Sequence, residues 1–152
     1  MVEEKFIALI PAYKPSDVLL TLVRDFISNG FVVVVVNDGS GMEYKHIFEE
    51  CASCVILLTH DINKGKGGAL KTGLRYISEH MPDTSTIVTV DADGQHRVED
   101  ALKIAHLASK EKNTLVLGSR KLNHNIPLRS KFGNAITRLK SFLKIQLMPK
   151  TC

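Results

Sequence analysis

Residues 86–96 read T-I-V-T-V-D-A-D-G-Q-H. Ile87, Val88 and Val90 form an apolar run that ends in two carboxylates, Asp91 and Asp93, with only Ala92 between them. In an extended chain, residues i and i+2 point to the same side. Two like charges on one side repel unless a cation sits between them. A divalent metal suits that position, because hard cations prefer carboxylate oxygens. The other reading is a solvated turn, since Asp93-Gly94 is itself turn chemistry.

Working outward, strand and helix signals alternate. Residues 6–10 are a short apolar run that Pro11 is expected to end. Ser16 suits an N-cap and Asp17 a first turn. Leu19, Leu22, Val23, Phe26 and Ile27 then make a helical stripe, stopped by Asn29-Gly30. Residues 31–36 are apolar on both faces, as a central parallel strand requires. A short helix over 42–50 and a strand over 55–58 follow. Residues 68–80 carry Ala69, Leu70, Gly73, Leu74 and Ile77 at helical spacing. Residues 86–90 are the next strand. A helix over 98–110 places Val98, Leu102 and Ala105 inward, with Ala101 and Ala108 beside them. Residues 115–117 read as a fifth strand.

Helical crossovers between strands imply a mainly parallel α/β sheet covered on both faces. Ligands bind such sheets beyond the carboxyl ends of the strands. Those ends read Pro11-Ala12-Tyr13, Asn37-Asp38-Gly39-Ser40, His60-Asp61, Asp91-Ala92-Asp93 and Gly118-Ser119-Arg120. Polar and acidic residues therefore gather at one edge of the sheet.

The bulk properties fit one domain. The chain has 152 residues, 44% of them apolar and 24% charged, enough for a single core. No apolar stretch reaches the ~18 residues that span a bilayer. The start, M-V-E-E-K, lacks the basic and apolar regions of a signal peptide, so the cytoplasm is the expected location. Cys51 and Cys54 have C-x-x-C spacing, which suits a redox pair or half a zinc site. No second pair completes four ligands, and the expectation is that Cys51 ends a helix and Cys54 starts a strand. The net charge of +4 is uneven: residues 112–152 hold 9 of the 20 Lys and Arg and none of the 16 Asp and Glu. A one-signed segment suits an anionic partner: phosphates, a membrane surface or nucleic acid.

Two phosphate motifs fail on inspection. Residues 63–72, N-K-G-K-G-G-A-L-K-T, invite a P-loop reading, but Leu70 stands where the second glycine belongs. What remains is a glycine-rich loop before a helix whose N-terminus can accept an anion or a polar ring. Asp91-Ala92-Asp93-Gly94 is also similar to the D-x-D-G-T of aspartate-nucleophile phosphatases. That motif follows a first strand, whereas this one follows the fourth, and Gln95 replaces its threonine.

Taken together, the motifs resemble one family. I-P-A-Y at 10–13, V-V-N-D-G-S at 35–40, N-K-G-K-G-G-A at 63–69, V-D-A-D-G-Q-H at 90–96 and L-G-S-R at 117–120 occur in the order and spacing of family 2 glycosyltransferases. P-L-R-S-K-F-G-N at 127–134 is similar to the branch of dolichyl-phosphate mannose synthases and polyprenyl-phosphate glycosyltransferases. The resemblance implies a three-layer αβα GT-A fold in one domain over 1–152. Residues 5–120 would form the nucleotide-sugar-binding half and 121–152 a basic C-terminal segment.

It also implies roles. Pro11, Ala12, Tyr13 and Asp38 would hold the base and ribose of a UDP- or GDP-sugar, with Lys66 and Ala92 in the same pocket. Asp91, Asp93 and Gln95 would bind Mg²⁺ or Mn²⁺. Arg120 and Arg129 would bind phosphate, a task that suits the guanidinium fork. Asp91, Asp93 and Arg120 would carry the catalysis. His96 matches the family's Q-H; a satisfied loop histidine is the alternative. The implied reaction is inverting transfer of a hexose to a polyprenyl or dolichyl phosphate, whose anionic oxygen needs little help from a base.

Phe132, Ile136, Leu139, Phe142, Leu143 and Leu147 fall near one face, with Lys131, Arg138, Lys140 and Lys144 among them. Such a helix can lie on an anionic membrane or pack on the sheet with its lysines in water. A nucleic-acid partner is not expected, because Tyr and Phe do not interleave with the basic residues as a stacking platform needs. Family members continue past the F-G-N segment, so the acceptor half is expected to be incomplete. A catalytically impaired chain that only binds nucleotide-sugar is the alternative function.

Overall fold

The computed structural model describes residues 5–81 and 85–110. The expected strand at 115–117, the basic helix over 131–146, Arg120 and Arg129 lie outside the described residues.

The described elements are β1 (Phe6–Ala12), α1 (Val18–Ser28), β2 (Val32–Asp38), α2 (Lys45–Cys51), β3 (Ile56–His60), α3 (Gly65–His80), β4 (Thr86–Thr89) and α4 (Val98–Ser109). A single 3-10 turn, Met42–Tyr44, leads into α2. The four strands form one parallel sheet in the order β3-β2-β1-β4. Ile7 pairs with Val32 and Phe6 with Thr86, so β1 has neighbours on both sides.

Strand alternation sorts the core into two layers. Ala8, Ile10, Val33, Val35 and Val88 face α1, α2 and α4 through Leu19, Leu22, Phe26, Phe48 and Ala105. Ile7, Leu9, Val34 and Val36 face α3 through Ala69 and Ile77. Helices therefore cover both faces of a parallel sheet, which gives the three-layer αβα arrangement.

The structure departs from the sequence expectations at element ends. β1 runs through Pro11 to Ala12. Its pairing with β4 ends at Leu9↔Thr89, so Pro11 sits where the strand has one neighbour, a place that tolerates a missing N–H. Ser16 does not cap α1 with its side chain. Asp17 occupies the cap position without a side-chain bond, and the first turn closes on backbone oxygens of Ser16 and Asp17. Helix α3 starts at Gly65, three residues earlier than expected, so Lys66 and Gly67 belong to its first turn and not to a loop. Leu74 of its stripe is exposed. Cys51 does end α2, but Cys54 lies in the turn before β3. Both are free thiols, and Cys51 is buried, where its S–H donates to the Phe48 carbonyl at 3.4 Å.

The sheet order fixes where a ligand site can form. The chain lays down β1, β2 and β3 in one direction, then returns past β1 to place β4. The order reverses between β1 and β4, and open α/β sheets bind ligands at such a reversal.

Candidate active site

A cleft of about 570 Å³ opens at that point, a size typical of small-ligand sites. Pro11, Ala12 and Tyr13 line it from β1, Asp38 from β2, Lys66 and Ala69 from α3, and Asp91, Ala92 and Asp93 from the segment after β4. Eight of the residues expected from sequence thus share one wall system. Gln95 follows two residues on, its backbone N–H donating to Asp93 Oδ1 at 3.0 Å. A second groove of about 590 Å³, between α1 and the start of α4, holds none of the nucleotide-binding set.

Asp38 is nearly inaccessible, at 2% exposure. Its Oδ1 accepts from His60 Nδ1 at 2.6 Å and from the Lys64 backbone N–H at 2.9 Å. His60 Nε2 lies 2.9 Å from Thr72 Oγ1 in α3. An ionised carboxylate only accepts, so the proton between them belongs to Nδ1, and in the neutral ring Nε2 accepts from Thr72. Burial pushes the Asp38 carboxyl up, but the His60 bond and the Lys64 N–H outweigh it and hold the group below the usual carboxylate range.

Glycine makes this possible. Gly39 has φ +69°, and a Cβ there would lie 2.5 Å from the Asn63 backbone nitrogen. The end of β2 therefore rests directly on the loop before α3, which brings the Lys64 N–H to Asp38. The Lys64 N–H at the head of α3 thus takes a carboxylate of the protein itself, a placement the helix dipole favours. Asn63 Oδ1 takes the Gly65 N–H at 2.9 Å. Beside Asp38 at the end of β2, the Lys14 N–H donates to buried Ser40 Oγ at 3.0 Å, and the Ser40 N–H to Asn37 Oδ1 at 3.0 Å. His60, Thr72, Ser40 and Asn63 were given no role from sequence. His60 carried a signal: it was a polar residue at a strand's carboxyl end.

The D-x-D lies in a turn after β4, with Asp93 exposed and Asp91 half-buried and paired. Lys66 Nζ lies 2.5 Å from Asp91 Oδ1, and His96 Nε2 lies 3.7 Å from Asp91 Oδ2. The Lys66 bond lowers the Asp91 carboxyl, more than its partial burial raises it. Among the described residues, no three His, Cys, Asp or Glu side chains converge on one metal position. Asp91 and Asp93 offer hard oxygen ligands only, the kind that magnesium and manganese prefer, and Lys66 occupies Asp91 Oδ1 in this structure.

Comparison with known proteins decides the family. The Glycosyl transferase family 2 profile matches residues 7–147. The chain belongs to glycosyl transferase family 2. A UDP-N-acetylglucosamine–dolichyl-phosphate N-acetylglucosaminyltransferase of Methanococcus voltae is 30% identical, over 94% of this chain and 64% of that protein. An uncharacterised protein of Methanocaldococcus jannaschii is 30% identical, over 87% of this chain and 55% of that protein. A dolichyl-phosphate beta-glucosyltransferase of Trichomonas vaginalis is 29% identical, over 64% of this chain and 32% of that protein. This family 2 chain therefore spans less than two thirds of the length of these relatives. Among solved structures, 4-diphosphocytidyl-2C-methyl-D-erythritol synthase superposes with a TM-score of 0.59, over 71% of this chain and 56% of that one. At 18% identity that likeness establishes the fold alone. No helix among the described residues is long and apolar enough to cross a membrane.

Proposed function

We propose that this chain binds the donor of a glycosyl transfer, a UDP- or GDP-sugar, and passes its hexose with inversion to a dolichyl or polyprenyl phosphate. The observation that carries the reading is the cleft itself. The Pro11–Tyr13 strand end, Asp38, Lys66, Asp91 and Asp93 all line it, in a chain of family 2. Two relatives are named for dolichyl-phosphate acceptors.

The residues divide the work. The β1 end and Asp38 hold base and ribose, the carboxylate accepting from their donors while His60 and Lys64 fix its position. Asp91 and Asp93 hold Mg²⁺ or Mn²⁺, with Gln95 beside them as a further oxygen donor. Bound there, the ion supplies Lewis-acid charge to the departing nucleoside diphosphate. Lys66 adds positive charge on the same wall, and Arg120 and Arg129 are assigned to phosphate. The acceptor oxygen is already anionic, so the cleft needs no general base for it. The basic residues of 112–152 suit an acceptor phosphate at an anionic membrane surface.

Calorimetric titration of UDP and GDP, with and without Mn²⁺, tests the donor site. Metal-dependent binding lost in Asp93→Asn is expected. A folded protein that binds neither nucleotide overturns the reading. Release of nucleoside diphosphate in the presence of dolichyl phosphate then separates transfer from donor binding alone.

A further inference from the structure

The geometry points to Lys66 as a built-in counter-ion that occupies the D-x-D in the empty protein and moves to the donor diphosphate when metal and nucleotide load. The inference rests on the donor-site reading above and gives one residue of it two positions.

Three observations carry it. First, Lys66 Nζ sits 2.5 Å from Asp91 Oδ1. A divalent ion on that oxygen and an ammonium at hydrogen-bond distance cannot share the space, and two cations side by side repel. Second, the backbone beneath Lys66 is held by buried and local partners while its side chain is largely in solvent. The Lys64 and Gly65 N–H groups are held by Asp38 and Asn63, yet the Lys66 side chain is 60% exposed and Asp91 42%. An exposed ion pair of this kind contributes little stability, so releasing it is a small cost. Third, Lys66 lies on the first turn of α3 and lines the same cleft as Asp91, Asp93 and the β1 end. A four-carbon stem pivoting on that turn stays within the cleft, where a diphosphate bridging to the metal would meet it.

The consequence is a pair of effects with opposite signs. Without nucleotide, Lys66 competes with the metal. With nucleotide, it adds to the binding of the diphosphate. Lys66→Met removes the ammonium and keeps the length of the stem. Mn²⁺ alone is expected to bind about tenfold more tightly to this variant, from removal of a competing unit charge a few ångströms away. UDP and GDP, at saturating Mn²⁺, are expected to bind about tenfold more weakly. Lys66→Arg is expected to stay near the starting protein in both measurements.

Mn²⁺ binding is read from the electron spin resonance signal of the free ion, and nucleotide binding by calorimetry. A thermal melt confirms that each variant is folded. Mn²⁺ affinity unchanged or reduced in Lys66→Met overturns the competition. Nucleotide affinity unchanged in Lys66→Met overturns the movement to the diphosphate. If the starting protein binds nucleotide equally with and without Mn²⁺, the metal reading of the D-x-D falls, and this inference falls with it. If it binds neither nucleotide at all, the donor site falls.

Discussion

Asp38 offers a test that needs no ligand. Replacing it with alanine leaves two donors without an acceptor: His60 Nδ1–H, on a side chain only 4% exposed, and the Lys64 backbone N–H. A hydrogen bond to a charged group contributes about 1.5–3 kcal/mol, and an orphaned buried donor costs its full desolvation. Two such bonds, sharing one oxygen and therefore not additive, set the loss at about 3–4 kcal/mol. Asp38→Asn keeps an acceptor oxygen for both donors and loses only the charge, so about 1–2 kcal/mol is expected. For a chain of this length each kcal/mol moves Tm by about 2–4 °C, so alanine should lower Tm by roughly 10 °C and asparagine by about 4 °C. Urea and thermal unfolding, followed by circular dichroism, measure both. A His60→Ala partner completes a double-mutant cycle, in which a coupling of at least about 1 kcal/mol is expected. The reasoning is refuted if Asp38→Ala stays within about 0.5 kcal/mol of the starting protein, or if asparagine is no better tolerated than alanine.

Three further outcomes follow from the same geometry. Asp38 and Asp91 are both held below their ordinary values in the fold. Their contribution is therefore complete above the unfolded carboxylate pKa of about 4 and is lost as pH falls through the folded values; unfolding free energy measured by urea titration should drop below about pH 4, with a shallower slope in Asp38→Asn. Gly73 of α3 packs so close to β1 that an added Cβ would overlap Leu9 Cδ1, in a side chain with no exposure. Overpacking of this kind costs about 1–3 kcal/mol against a helix-propensity gain of about 1; Gly73→Ala should lower the urea midpoint, and a rise would show that Leu9 moves aside freely. Burial, and then the neighbouring Cys54, raise the Cys51 thiol, so in a Cys152→Ser background one thiol, Cys54, should react quickly with a disulfide reagent at pH 8 while Cys51 waits for unfolding.

Much of the fold was legible in the residues. Six consecutive apolar residues over 31–36 announced a strand with two buried faces, and Val33–Val36 are buried on both. The stripe from Leu19 to Ile27 announced α1; Leu19, Leu22, Val23 and Phe26 are buried and Ile27 is half-buried against the same core. The ends were harder. Pro11 looked like a stop because its local chemistry removes a ladder donor, but β4 is too short to need that donor. Lys66 looked like a loop residue because glycines flank it, but α3 begins at Gly65, where the backbone is stitched to Asp38 and Asn63. Local rules score a residue by itself, and these two were decided by their neighbours in space.

The site divides along the same line. The sequence by itself determined that carboxylates and small residues stand at the carboxyl ends of parallel strands, because strand periodicity is a short-range property. It placed Asp38, Asp91 and Asp93 at one edge of a sheet and linked the motif order to a family. Only the tertiary structure decided what each carboxylate faces. Asp38 and His60 are 22 positions apart, and Lys66 and Asp91 are 25. Their contacts depend on β2 lying beside β3, on β4 returning to the far side of β1, and on Gly39 letting two backbones touch. Pairing of that range is set by sheet order and packing, which no local pattern encodes.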